Sequence, residues 1–179
     1  STPVPSPRKL LASIGADASL ETNVGAAAIL SPDGTTLAFV GQQAGASRLF
    51  VRKLDQLLAA PLAGTEGAAN PFFSPTGEWI AFFAGAKLKK VAVTGGATVT
   101  ICDALDDRGG TWNEDGTIIF APQGRAGLQR VSAAGGTPEV LTTPDRAAEE
   151  ITHRWPQALP GGRAVLYTAH TVVGDFEDA

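Results

Sequence analysis

Short apolar strands that return at a near-constant interval predict an all-β fold for this 179-residue chain, a β-propeller of four-stranded antiparallel blades. Three observations predict it. First, a turn followed by an apolar strand occurs four times: Ser31-Pro32-Asp33-Gly34 before Leu37 to Val40, Ser74-Pro75-Thr76-Gly77 before Ile80 to Phe83, Asn113-Glu114-Asp115-Gly116 before Ile118 to Ala121, and Leu159-Pro160-Gly161-Gly162 before Val165 to Tyr167. Second, the last glycines of those turns lie 43, 39 and 46 residues apart, which brackets the ~40 to 45 residues of a four-stranded blade. Third, Leu49, Leu88 and Leu128 keep the same beat, and the aromatics Phe39, Phe82, Phe120 and Tyr167 recur within the second strands.

Taken in order, residues 1–8 hold three prolines among small polar residues, the composition of an extended linker. Residues 9–14 form an apolar run that reads as a lone strand with a distant partner. The first blade spans residues 23–67. Its turn uses Pro32 to fix φ, Asp33 for a side-chain-to-backbone bond and Gly34 for positive φ, and strands are expected at Leu37 to Gly41, Arg48 to Leu54 and near Ala60 to Ala63. The second blade, residues 68–104, repeats the order, with the Gly95-Gly96 pair marking a tight hairpin. The third, residues 105–150, does so with Gly135-Gly136. The fourth, residues 151–179, shows two strands only.

That makes about three and a half blades, a partial propeller. Non-alternating strands such as Ile118-Ile119-Phe120-Ala121 suit a sheet packed on both faces, as blades are by their neighbours. A β-sandwich is the competing all-β arrangement, and the fixed period argues against it. An open arc would leave blade faces and strand edges in solvent, so closure by another copy is expected, with the strand at residues 9–14 completing a blade across the junction.

Composition narrows the partners. A net charge of −4 gives no broad attraction to nucleic acid or anionic membrane, and no run approaches the ~18 apolar residues of a span. The single cysteine, Cys102, excludes an intrachain disulfide and reads as a small buried hydrophobe. There is no methionine, even at position 1, which points to a processed, excised or engineered piece.

The turn-and-strand unit at Ser31 to Val40, with Asn70-Pro71-Phe72-Phe73-Ser74-Pro75 and His153-Arg154-Trp155-Pro156-Gln157, resembles the TolB-type, WD-repeat-like propellers of bacteria. It is most similar to the propeller segments appended to bacterial receptor-type serine/threonine protein kinases. The resemblance runs from Lys9 onward and implies a sensor or scaffold role outside the cytoplasm. The chain departs from it in lacking further blades and in the drift of its later turns.

Chemistry is sparse in the sequence. No Gly-x-Ser-x-Gly occurs, and His153 and His170 are the only histidines, at no spacing that suggests a triad or a zinc pair. Asp103, Asp106 and Asp107 cluster without the glycine and glutamate of a calcium loop and read as a solvated inter-blade segment. The paired glycines are explained by turns, and Lys87 to Lys90 by a solvated strand face. Candidate binding residues are those placed by register just before the first strands, at the mouth of a central channel: Asn70, Arg108, His153 and Arg154. Trp112, Trp155 and Phe73 lie near them and are expected in the core.

The sequence therefore predicts a non-catalytic propeller segment that needs no cofactor or metal. It would serve as a binding, scaffold or sensor module, associate as a homo-oligomer to close its ring, and take a protein or peptide ligand. The alternatives are an accessory gating propeller of a prolyl-oligopeptidase-type serine peptidase, and an isolated or engineered fragment with no activity beyond assembly.

Overall fold

The computed structural model describes residues 14–22, 25–43, 45–106 and 108–171. Among them there are strands and no helix, arranged as four successive antiparallel meanders. The first blade holds β1 (Ser19–Leu20), β2 (Ala28–Leu30), β3 (Thr36–Gln43), β4 (Ala46–Lys53) and β5 (Ala60–Pro61). The second holds β6 (Ala69–Phe73), β7 (Trp79–Phe83), β8 (Lys87–Ala92) and β9 (Val99–Asp103). The third holds β10 (Gly110–Trp112), β11 (Thr117–Phe120), β12 (Gln129–Ser132) and β13 (Glu139–Val140), and the fourth β14 (Thr152–Ala158) and β15 (Val165–His170). A partial propeller with a two-stranded last blade is what the repeats predict.

The recurring turns are built alike. In each, the glycine N–H donates to the carbonyl of the turn's first residue: Gly34 to Ser31, Gly77 to Ser74, Gly116 to Asn113 and Gly162 to Leu159. All four glycines have positive φ, between 65° and 81°, where a side chain would be strained. Serine adds a second tie, because Ser31 Oγ accepts from Thr36 N at 2.9 Å and Ser74 Oγ from Trp79 N at 3.1 Å. The first residue thus locks the turn to the strand that follows.

The second strands β7 and β11 are apolar on both faces because each face meets another blade. Ile80 and Phe82 pack with Ala38, Val40 and Leu49 of the first blade. Ala81 and Phe83, one residue out of phase, pack with Ile118, Phe120 and Val131 of the third. Ile119 and Ala121 then meet Val165 and Tyr167 of the fourth. Period-two alternation sends successive residues to opposite faces, so a strand buried on both sides reads as a continuous apolar run.

The third strands carry the second landmark. Leu49, Leu88 and Leu128 are all fully buried. Leu49 N donates to Thr65 Oγ1 at 3.0 Å and Leu128 N to Thr142 Oγ1 at 2.8 Å, so a threonine beyond the fourth strand satisfies the same amide in two blades.

One expectation lies almost wholly outside the described residues, and another needs correction. The lone strand at residues 9–14 falls mostly outside the described residues, and Ile14 is not in a strand. The extra strand that is seen, β1, pairs with the first blade itself, Ser19 opposite Gln42 and Leu20 opposite Gly41. Together with β2 it shares one edge of β3, and Ala18 closes over Phe50 and Gly41. Phe39, whose counterparts Phe82 and Phe120 face the preceding blade, is instead buried by stacking on Phe50, centroids 5.3 Å apart. The Lys87 to Lys90 run is also less solvated than expected. Lys90 Nζ sits 4.9 Å from the centre of Trp79 and 5.9 Å from that of Trp112, and donates to Ala133 O at 2.8 Å. It clamps the second blade to the third.

Burial against a neighbouring blade sets the energetic scale. Phe120→Ala is expected to lower the unfolding free energy by about 3 to 5 kcal/mol, read from the midpoint of a urea titration. Leu57→Ala, at a position 86% exposed, should leave that midpoint where it is.

Candidate functional site

The first strands converge on one axis. Contacts join β2 to β6, β6 to β10 and β10 to β14, and between these strands lies a cavity of about 490 Å³. Its wall is Ile29 and Leu30 from the first blade, Phe72 and Phe73 from the second, Trp112 from the third and Ala158 from the fourth. The recurring turns form its rim through Pro32, Pro75, Asn113, Glu114 and Leu159 to Gly162. A second space of about 230 Å³ continues along the axis, bounded by Asn70, Gly109, Trp155 and Pro156.

One backbone feature shapes this second space. Asn70, Gly109 and Trp155 each stand seven residues before a turn glycine, and all have positive φ, 46°, 86° and 52°. The ladder shifts register there, between Ala69 and Phe72 in β6 and between Arg154 and Gln157 in β14. Such bulges bend a strand and re-aim its side chains. At Trp155 the bulge swings the indole across the axis. A Cβ on Gly109 would lie 2.7 Å from Trp155 Cε3, and one on Gly25 would lie 2.7 Å from Trp155 Cη2. The ring therefore reaches from the third blade to the first, and both glycines are needed to admit it. Trp155 is 41% exposed, not the core residue expected, whereas Phe73 and Trp112 do pack against the core clusters.

The four predicted mouth residues separate into three settings. Asn70 is buried at the axial bulge, against Gly25. Arg108 and Arg154 share a neighbourhood with Asp106, which pairs with Arg108 Nε at 3.4 Å, while Trp155 N donates to Arg108 O at 2.9 Å and ties the two strands. Burial, and then the like charge of Arg108, make the Arg154 guanidinium easier to deprotonate than usual, and Asp106 offsets part of this.

His153 does not line the axial spaces at all. It is 2% exposed between the third and fourth blades, with Nδ1 2.7 Å from Thr142 Oγ1, Nε2 3.0 Å from Glu150 Oε2, and its ring 4.6 Å from that of Tyr167. Glu150 Oε2 can only accept, so in the neutral imidazole Nε2–H donates to it and Nδ1 accepts from the Thr142 hydroxyl, whose oxygen also accepts from Leu128 N. The relay has the outline of a catalytic triad, but its threonine caps a strand as Thr65 does in the first blade. We read it as a clip between blades. Sequence spacing could not reveal it, because its three members come from a strand end, a turn and the next blade.

Two members of the acidic cluster turn to separate cations. Asp103 pairs with Lys87 and Asp106 with Arg108, Asp107 lies outside the described residues, and no group of three metal-ligating side chains occurs among the described residues. Cys102 is buried as expected, and burial pushes its thiol pKa up to about 11, keeping it protonated and unreactive.

Comparison with known proteins bears on the fold. No family model and no curated protein matches the chain. Solved structures do. A protein described as TolB from Agrobacterium tumefaciens is similar over 63% of this chain and 47% of its own, with 23% identity and a TM-score of 0.52. The AtxE2 isopeptidase is similar over 74% of this chain and 31% of its own, at 19% identity and a TM-score of 0.52. A nidogen/laminin complex chain is similar over 78% and 53%, at 15% identity and a TM-score of 0.55. The chain thus spans about half, or less, of the structures it matches. What they share with it is a β-propeller fold.

Two variants separate backbone from side chain at the axis. Trp155→Gly relieves a left-handed conformation that costs a non-glycine residue about 1 to 2 kcal/mol, so it should change stability by less than about 1 kcal/mol despite the lost ring. Gly109→Ala gains a clash and strain and should destabilise by more than about 1 kcal/mol; thermal unfolding followed by circular dichroism measures both.

The clip predicts a pH effect of definite sign. The Asp145 N–H, and then the bond from His153, hold the Glu150 carboxyl below its ordinary value of 4.5. A depressed carboxylate contributes stability above its unfolded pKa and loses it as pH falls through the folded one. Glu150→Gln should therefore flatten the stability profile below about pH 4.5, as measured by urea unfolding from pH 7 to pH 3.

Proposed function

We propose that this chain is a non-catalytic recognition module whose rigid first strands present an axial site to a protein or peptide ligand, and that copies of it associate to close the ring. The observation that supports this reading is the cavity itself. Four strands from four blades line one space with aromatic and aliphatic side chains, and amide and hydroxyl groups sit at the rim, a composition suited to holding an apolar segment by shape and a few hydrogen bonds. Recognition sites of this kind are carried by rigid scaffolds that present variable loops. In the setting that the turn-and-strand resemblance implies, the module would be the sensor portion of a larger receptor-type protein kinase.

Association is supported by the ends of the arc. Leu166 of β15 occupies the position that in the other blades, at Ala38, Ala81 and Ile119, is buried against the following blade, yet it is 64% exposed. A second copy would cover it.

Selection of displayed random peptides on the chain should return binders rich in apolar residues. Leu30→Lys combined with Leu159→Lys changes one wall and one rim residue of the cavity that are 57% and 43% exposed, so folding is spared. Those changes should weaken the binders by about tenfold or more; binders indifferent to them would overturn the axial reading. Light scattering at low micromolar concentration should give a multiple of 18.3 kDa, and a mass of one copy would overturn association.

A further inference from the structure

The turn that the third blade sets at the rim of the axial cavity carries a polar side chain that the turn itself does not use. In the first three turns the opening residue, Ser31, Ser74 or Asn113, donates its N–H across the turn, to the carbonyl of Thr36, Trp79 or Thr117. The two serines also take the return bond, Oγ accepting from Thr36 N and from Trp79 N. In the third turn that bond goes elsewhere, because Thr117 N donates to Asp115 Oδ1 at 2.8 Å. The Asn113 side chain is released from the turn.

It is nonetheless held inside. Asn113 is 8% exposed and lines the axial cavity, and its buried Oδ1 has no hydrogen-bond partner among the described residues. A buried carbonyl oxygen left unpaired is costly, and here the cost secures no turn. A donor from outside the fold would relieve it. Asparagine's terminal torsion is soft, so the oxygen can turn toward such a donor in the cavity that its residue already lines.

We infer that Asn113 is the residue by which the axial cavity grips the main chain of an extended peptide. The inference rests on the reading of that cavity as a peptide site. A side-chain amide carries an acceptor beside its donors, and the N–H and C=O of one residue in an extended chain point to the same neighbour. The two sets match. The peptide N–H donates to Oδ1, and Nδ2–H donates to the peptide C=O of the same residue. Phe72, Phe73 and Trp112 supply apolar surface in the same wall, so flanking side chains provide affinity while Asn113 sets the register. Such a grip reads no side chain, yet it rejects proline, which has no N–H to give.

The probes are synthetic copies of the displayed peptides selected on the full 179-residue chain, with each backbone N–H replaced in turn by N-methyl. Among those weakened by Leu30→Lys with Leu159→Lys, N-methylation at one position should cost about tenfold in affinity, and proline at that position should cost as much. Asn113→Ser places at this turn the residue that the first two turns use. It should also weaken the unmodified peptides by about tenfold, abolish the N-methyl penalty at that position, and leave the urea midpoint no lower. An N-methyl penalty equal in Asn113→Ser and in the unaltered chain would overturn the assignment and leave the axial reading standing. Undiminished affinity of Asn113→Ser would do the same. Weaker binding with a lowered midpoint and an unchanged penalty would overturn it too, since Asn113 would then serve the fold alone. Peptides indifferent to Leu30→Lys with Leu159→Lys, or a selection that returns none, would overturn the axial reading and this assignment together.

Discussion

Everything in this molecule rests on strands that must bury both faces. A four-stranded blade has no interior of its own, so its stability is borrowed from the blades on either side. The side chains are sized for this. Phe82, Phe120 and Tyr167 point toward the preceding blade, and Ala38 and Ala81 offer small surfaces to two of them. An aromatic therefore enters a floor of small residues, which lets the sheets approach closely. The first blade has no such neighbour among the described residues, and Ala18 with the Phe39–Phe50 stack supplies cover in its place.

That packing also fixes what happens at the axis. Once the second strands are pinned from both sides, the first strands are forced together, and their side chains have to share a narrow space. The left-handed residues Asn70, Gly109 and Trp155, with ladder bulges at the first and the last, are the local answer. Each spends one residue on a left-handed kink and frees the strand to follow the axis. Two of the three are not glycine, and strain of this kind persists only where the surroundings hold it. Around Trp155 the hold is visible in Gly25 and Gly109, which leave room for the ring, and in the Trp155 N to Arg108 O bond.

The fold was legible because its signals are local and repeated. Turn glycines, a serine that ties its own turn, and a leucine in or just before three of the third strands all report on neighbours within a few residues. The site was less so. Register located Asn70, Arg108, His153 and Arg154 at the starts of strands, but it could not say that a bulge would swing Trp155 across the axis and leave His153 facing away from it. Nor could it pair His153 with Thr142 and Glu150, since that contact exists only after two blades dock. The strand pairing of Ser19–Leu20 was missed for a related reason: two residues carry no periodicity, and only the edge of β3 gives them a partner.

The three blade junctions are not equal. The first two join extensive buried clusters on both sides, with Lys90 clamping the second. The last joins Ile119, Ala121 and Leu128 to Val165 and Tyr167, which are only half-buried, and relies on the polar clip of Thr142, His153 and Glu150. In a stack where each unit touches only its neighbours, opening follows the weakest junction. The fourth blade is thus the end from which this protein comes apart, as a cooperative unit of its own, while the first three remain assembled.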